Sequence, residues 1–400
     1  MNTSSPSPLH GMRVLDASRV LAGPFCGQIL GDLGAEVIKL ERPGVGDETR
    51  AWGPPFAGDL AAYYLSCNRN KKSVTLDMSK PEGQTIAHQL AAKSDIYLDN
   101  FLPATAKKLG LDAARLQQVN PKLIICSISG FGHDGPMAER PGYDFAIQAL
   151  SGFMSITGPK EGPPSKVGVA MTDVVAGLYA AIGVLACVAA RQQSGHGYAL
   201  DISLLDCALA AQVNLAQAYL TSGEVPPRQG NAHLQIVPYQ LFATQDTHLV
   251  LAVGNDAQWQ RFCTAAQLTD LGRDARFLTN PDRVKNREEL IPLLMPILRG
   301  RSTKAWEDLL TAADVPHAPV LDYAQLFAHP QALARGLRVT VQDPKGQTVD
   351  LVNSPLRIHG ATATAMAMPP RLGEQTASVL RDLLGMGAEK IETLKAQGIV

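Results

Sequence analysis

Met12 to Arg42 reads MRVLDASRVLAGPFCGQILGDLGAEVIKLER, and this stretch decides the fold. Met12 to Asp16 is a short apolar run ending in polar residues. Helical spacing of apolar residues follows from Phe25 to Leu33, and Ala35 to Leu40 is a second apolar run of strand length. Strand, helix and strand in that order predict a parallel sheet in an α/β fold. Glu41 ends the second strand where a ribose-binding acid would stand, but the first loop reads RVLAGPFCG and lacks G-x-G-x-x-G. That absence argues against NAD or FAD. Arg42 comes next, at the carboxyl end of the strand, where open α/β sheets bind ligands. A guanidinium there suits a phosphate; a solvated charge opening the loop RPGVGDETR is an equal alternative.

Further along, Asn68 to Leu76 (NRNKKSVTL) sets three cations before a β-branched run. Such a cluster reads as a solvated turn or, functionally, as a phosphate contact. Pro81 to Ala92 is a helix with proline at its first position. Asp95 to Leu98 is a strand that ends in Asp99-Asn100-Phe101, a turn or a ligand contact. Leu123 to Ser127 is a core strand. Fifteen residues with four glycines follow it, GFGHDGPMAERPGYD, long enough to suggest an active-site loop. His133 and Asp134 in that loop form a possible acid–base pair, against the ordinary reading of a solvated histidine.

Phe145 to Phe153 reads as a short helix, Thr157 to Ser165 as a Gly/Pro loop, and Leu200 to Tyr219 as one apolar helix. Composition changes sharply at Ser222 to Arg228 (SGEVPPR), which marks a domain boundary. Beyond it, Tyr239 to Val253 alternates as a hairpin, amphipathic helices follow, and Leu337 to Val352 is a second hairpin turning at Asp343 to Gly346. Two helices close the chain. There is no internal repeat.

Composition narrows the function. At 400 residues, 46% hydrophobic and 18% charged, the chain can bury a sizeable core. With 36 Lys+Arg against 37 Asp+Glu there is no charge field for nucleic acid or an anionic membrane, so an anionic ligand must be caught locally. Six scattered cysteines without C-x-x-C spacing predict reduced thiols, a cytoplasmic protein and no metal site. The N-terminal MNTSSPSPLH reads as a loose tail, not a signal peptide. Val174 to Ala190 falls short of the ~20 apolar residues of a membrane span, and a buried core helix is predicted there.

Asp173 stands at the front of that apolar run (VGVAMTDVVAGLYAAIGVLACVAA, Val167 to Ala190). A helix cap is its default reading. Small residues around it leave room for a ligand, and a helix N-terminus would favour its ionised form, so it is also a candidate covalent nucleophile. G-x-S-x-G, H-E-x-x-H and G-x-x-x-x-G-K-[ST] are all absent.

Taken together, RVLDASRVLAGPFCGQILGDLGAEVIKLERPGVGDETR, NRNKKSVTLD, DNFLPATAKKLGL, GYDFAIQALSG, VGVAMTDVVAGLYAAIGVLAC and PRLGEQTASVLRDLLG resemble the class III (formyl-CoA transferase/CaiB-BaiF) CoA-transferases from about Gly11 to Val400. The resemblance implies a large Rossmann-like domain, residues 1–221 completed by 331–400, and a small α+β middle domain, 222–330. It implies an interlocked homodimer, no bound cofactor or metal, and coenzyme A as the carried group. Asp173 falls on the family's catalytic aspartate. Arg42, Leu76, Met78, Asn100 and Lys108 fall on CoA-contacting positions. Leu21 stands where formyl-CoA transferase has a glutamine near the thioester, and Arg140 lies near a CoA-binding lysine. That enzyme's glycine-rich lid is absent here, which speaks against oxalate as acceptor.

The superfamily also holds α-methylacyl-CoA racemases, which look for Gly-His-Asp where this chain has Gly142-Tyr143-Asp144. A tyrosine, with a pKa near ~10, is a poor base at neutral pH. GNAHLQIVPYQLF with RPGYD resembles the succinyl-CoA:glutarate (dicarboxylate) branch. Arg228, His233 and Arg140 are then candidates for an acceptor's far carboxylate.

Overall fold

Six short runs pair in parallel: β1 (Arg13–Asp16), β2 (Glu36–Glu41), β3 (Lys71–Thr75), β4 (Ile96–Asp99), β5 (Ile124–Ser129) and β6 (Ala199–Ser203). Their order across the sheet is β3-β2-β1-β4-β5-β6. The structure is a computed structural model, and residues 5–400 are described from it. Along each strand, successive side chains enter opposite layers, as the pleat requires. Val14 and Ile124 join one core with Leu30, Ala176 and Val184. Leu15 and Ile125 join the other with Ile38, Val74, Val379 and Leu380. Covered on both faces, the central strands β1, β4 and β5 are buried almost throughout, whereas the end strands β3 (KKSVT) and β6 (ALDIS) carry polar residues.

The chain leaves β1 toward β2 on one side, whereas β4 lies on the other. Loops leaving the carboxyl ends of β1 and β4 therefore diverge, and a crevice opens between them. This crevice carries the candidate site.

Two compact units make up the chain. One comprises residues up to Phe153, Val167–Ser222 and Ala332–Val400; the other comprises Met154–Lys166 and Gly223–Gln331. The loop predicted at Thr157 to Ser165 thus belongs with the second unit. That unit builds a three-stranded antiparallel sheet from Tyr239–Ala243, His248–Ala252 and His317–Pro319. Its core gathers Trp259, Phe262, Leu290, Leu294 and Trp306.

Three sequence expectations are corrected. Leu200 to Tyr219 is not one helix: strand β6 is followed by helices Leu204–Ala210 and Val213–Ser222. An apolar run this short carries no periodicity that separates strand from helix. The cation cluster is neither a solvated turn nor a phosphate contact. Lys71 Nζ is buried on Asp16 at 2.9 Å, and Arg69 pairs with Asp32, leaving only Lys72 exposed, on Glu36. The supposed loose tail lies partly outside the described residues (1–4). From Ser5 onward it is docked: Leu9 is buried and donates its N–H to the Leu33 carbonyl.

Helix α1 (Ala22–Asp32) connects β1 to β2, and α2 (Asp144–Leu150) ends the Gly-rich loop. The apolar stretch forms α3 (Met171–Ser194). Among the described residues α3 alone is long and apolar enough to cross a bilayer, by length and composition. Its small-residue face packs on α1: a Cβ at Gly177 would meet the Ala22 carbonyl oxygen at 2.7 Å. Glycine is required there by proximity.

Candidate active site

Asp173 lies in the first turn of α3, and it does not cap the helix. The N-cap is Ala170, which makes no side-chain cap bond. Capping comes instead from a residue 28 positions earlier. Asp144 Oδ1 accepts from the Thr172 N–H at 2.9 Å and from the Thr172 hydroxyl at 2.8 Å. Buried Gln148 donates to the other Asp144 oxygen at 2.8 Å, and its own carbonyl accepts from the Val167 N–H at 2.9 Å. The start of α3 is thus stitched to α2 by two side chains, and Asp173 is released from any structural duty.

The Asp173 carboxyl has no hydrogen-bond or ion-pair partner among the described residues. Burial pushes its pKa up, with the neighbouring Asp144 charge adding, from 3.8 to about 7. Both causes act in the same direction, against the anionic form that a helix N-terminus favours. Tyr63 shares this neighbourhood. Burial, then the Asp173 charge, raises its hydroxyl to about 12.

Two clefts open at the carboxyl edge of the sheet. The smaller, about 220 Å³, is lined by Val20, Asn100, Ser129, Gly130, Tyr143 and Asp173 among others. The larger, about 430 Å³, is lined by Lys39, Arg42, Asp47, Leu76 and Met78 among others. Arg19, Phe101 and Thr105 face both. In the smaller cleft two loops touch backbone to backbone: a Cβ on Gly130 would lie 2.5 Å from the Gly142 Cα, and the reverse holds. A single methyl there would push Tyr143 and its loop off the cleft.

An unpartnered carboxyl beside one cleft and a free cation beside the next suit a ligand with an acyl end and an anionic end. Comparison with known proteins agrees. Residues 9–376 match the family model described as CoA-transferase family III. The chain belongs to CoA-transferase family III. The human succinyl-CoA:glutarate CoA-transferase is 39% identical over 98% of this chain and 90% of its own. The succinate–glutarate CoA-transferase of Agrobacterium fabrum is 42% identical, over 94% and 96% respectively. Among solved structures, a CAIB/BAIF family protein from Brucella suis superposes with a TM-score of 0.83 at 41% identity, covering 95% of this chain and all of that one. The protein is therefore an enzyme of this transferase class.

Against that family, the predicted residues sort into three groups. Arg42, Leu76 and Met78 share the larger cleft; Arg42 is exposed, and its guanidinium has no partner among the described residues. Asn100, Tyr143 and Asp173 share the smaller cleft. The Asn100 amide is committed, however: its oxygen accepts from the Arg19 N–H at 3.0 Å and its nitrogen donates to the Arg19 carbonyl at 2.8 Å. Tyr143, at the N-cap of α2, is exposed. Leu21, Lys108 and Arg140 line neither cleft; Leu21 is the N-cap of α1, beside Val20 and Ala22, which do line the smaller one.

The candidates for a second carboxylate are differently placed. Arg140 is exposed on its loop. Arg228 donates to the carbonyls of Pro159 (3.3 Å) and Gly162 (2.8 Å), holding the Gly/Pro loop of its own unit. His233 Nδ1 accepts from the Gln235 N–H. No bond joins His133 to Asp134 among the described residues; the His133 N–H donates to Asp201 at 2.8 Å. Glu41 binds no ribose: it is buried and paired with Arg50 at 2.7 Å.

Sequence reasoning missed Arg19, Tyr63 and Asp144. Arg19 had a signal, three residues beyond β1 at the ligand-binding edge. Asp144 stood in the Gly-Tyr-Asp triplet that was weighed only for its tyrosine. Tyr63 had none.

Proposed function

We propose that the protein moves coenzyme A from succinyl-CoA to a dicarboxylic acid of the glutarate type, with Asp173 as the covalent nucleophile. The observation that carries this reading is the unpartnered, half-buried Asp173 carboxyl in the wall of the smaller cleft. A carboxylate partly withdrawn from solvent and without protein hydrogen-bond donors keeps its lone pairs available for attack.

The Asp173 carboxylate attacks the thioester carbonyl and expels CoA as a thiolate, giving a succinyl-aspartyl anhydride. The thiolate attacks the aspartyl carbonyl, releases succinate and leaves an aspartyl-CoA thioester. A glutarate carboxylate then attacks that aspartyl carbonyl and expels the thiolate again. The thiolate takes the glutaryl group from the new anhydride, and Asp173 returns as a carboxylate. No net proton is consumed. Arg42 meets the CoA phosphates at the larger cleft, and Lys108 stands exposed on the helix Pro103–Leu109, whose Thr105 and Leu109 line that cleft.

Supporting the dicarboxylate assignment are the two relatives at 39% and 42% identity, each named for succinate or succinyl-CoA and glutarate. We read the larger unit as the CoA-binding, Rossmann-like domain and the smaller as the middle domain. A homodimer with interlocked subunits is supported by exposed apolar residues Leu178, Ile182, Leu209, Val213 and Leu220 on α3 and the two helices after β6. Six free thiols favour the cytoplasm.

The test is to incubate the enzyme with succinyl-CoA, trap with hydroxylamine or borohydride, and map the modified residue. Modified Asp173, with glutaryl-CoA formed once glutarate is added, is the expected result. Turnover with unmodified Asp173 would sink the mechanism. Solvent deuterium entering the α-position of an acyl-CoA without any acceptor acid would instead favour a racemase. An acceptor screen of glutarate, itaconate, malate, oxalate and a monocarboxylate fixes the second substrate.

A further inference from the structure

After the Ala17 N–H has paired with the Leu98 carbonyl (2.8 Å), the chain leading into α1 stops using backbone pairing from Ser18 to Val20. Every polar backbone group from the Ser18 N–H to the Val20 carbonyl is bonded to a side chain. The Ser18 N–H donates to Asp16 (3.0 Å), and the Ser18 carbonyl accepts from Lys39 Nζ (2.8 Å). Asn100 takes both groups of Arg19. The Val20 N–H is shared between the two oxygens of Asp47 (3.4 and 3.3 Å), and the Val20 carbonyl accepts from the Cys67 thiol (3.6 Å). A segment held only by side chains has a conformation that those side chains dictate.

The conformation dictated is an unusual one. Val20 sits at φ +70°, in the left-handed region where a β-branched residue is an outlier. Such strain persists only where the surroundings over-determine it, and it gathers at functional sites. Here the surroundings are a buried pair of opposite charges. Lys39 and Asp47 meet at 2.9 Å with both side chains fully buried. Asp47 is further fixed by the Thr49 N–H (3.0 Å) and hydroxyl (2.7 Å). Each member of the pair therefore grips one backbone group of the segment, the cation a carbonyl and the anion an N–H. Val20 and Ala22 line the same cleft as Asp173, so this segment forms a wall of that cleft.

We propose that Asp47, braced by Lys39, is a positioning residue for the transfer reaction, holding Val20 in the left-handed conformation that sets the cleft wall near Asp173. The proposal rests on the CoA-transfer reading above. Asp47 lines the larger cleft and not the one that holds Asp173, so it reaches the reacting end only through the Val20 backbone, and misplacing that wall costs rate more than binding.

The experiment is a double-mutant cycle between Asp47→Asn and Val20→Gly, following kcat and KM for transfer from succinyl-CoA to glutarate. Glycine adopts positive φ without support. Asp47→Asn in the Val20 enzyme is expected to lower kcat about 10- to 100-fold, with KM for succinyl-CoA within about twofold. In the Val20→Gly background the same change is expected to lower kcat less than about threefold. An equal loss in both backgrounds, or a loss confined to KM, overturns the proposal. Should Asp47→Asn not fold, Val20→Pro decides. Proline removes the N–H and forbids positive φ, so a folded Val20→Pro enzyme with undiminished kcat overturns the idea, and one with kcat lowered at preserved KM supports it. A wild-type enzyme that transfers CoA to no acid would refute the underlying reading instead, and the two failures are told apart on that first measurement.

Discussion

The sheet's carboxyl edge holds two groups of buried charge that behave in opposite ways. In the floor of the larger cleft and below it, Asp16, Lys39, Glu41, Asp47, Arg50 and Lys71 form a layer in which each charge meets its opposite. Lys71 Nζ alone donates to Asp16, the Pro24 carbonyl and Asn68 at 2.9, 2.7 and 3.0 Å. In the cleft wall, Asp173 has no partner, and its charged neighbour Asp144 is of the same sign. Burial acts to raise the pKa of Asp47, yet Lys39 and the Thr49 hydroxyl overcome it and hold that carboxyl at about 2. Burial raises Asp173 without opposition, to about 7. Desolvation is common to both, and the partner decides the sign. A compensated buried charge builds structure; an uncompensated one stores reactivity.

Breaking this contrast at its reactive end has the largest effect. Asp173→Asn should lower kcat by at least about 1,000-fold while the protein stays folded; stopped-time assays of glutaryl-CoA formation measure it, and residual turnover near wild type would refute the nucleophile. At the compensated end, Lys71→Met strands Asp16 and should destabilise the protein by roughly 3–5 kcal/mol, read from the urea midpoint. A loss under about 1 kcal/mol would mean that the layer is not what holds this edge together.

Smaller effects sharpen the comparison. Attack requires the ionised form of Asp173, so the rate of acyl-enzyme formation should climb as pH rises through about 7. Asp144→Asn removes the like charge and should move that climb to lower pH; a climb that stays put would show that Asp144 acts only as the cap for α3. The smallest effect is on stability. A carboxyl with a folded pKa above its unfolded one binds more protons when folded, so its contribution is present at low pH and lost as pH rises. Wild type should therefore lose stability relative to Asp173→Asn between about pH 4 and pH 7, with the two curves parallel below 3.8. Thermal melts across that range would show a growing gap, and a constant gap would contradict the elevated pKa.

Local pattern carried much of the fold. The strand–helix–strand opening and both hairpins were legible because each is decided by period and turn residues within a few positions. Asp173 was legible as a candidate, though with the wrong structural role. What stayed hidden depends on partners far along the chain. Lys71 finds Asp16 across 55 positions, and Asp144 caps α3 across 28. No local rule tells a solvated lysine from a buried one, or shows that a helix has borrowed its cap. Arg42 stands exposed in the larger cleft, which fits a phosphate contact and a solvated charge alike.

Strand β3 lies at one end of the sheet, and the polypeptide itself closes that border. Ser73 and Thr75 donate their N–H groups to the side chains of Gln375 and Thr376, and the Gln375 N–H donates back to the Ser73 carbonyl. An open strand border is a template for pairing with other chains. Its cover arrives some 300 positions later, roughly 15–60 s at ordinary ribosome speeds. Throughout that interval the flank of β3 lacks its cover, so the last stretch of the chain is what shields the sheet from pairing with other chains.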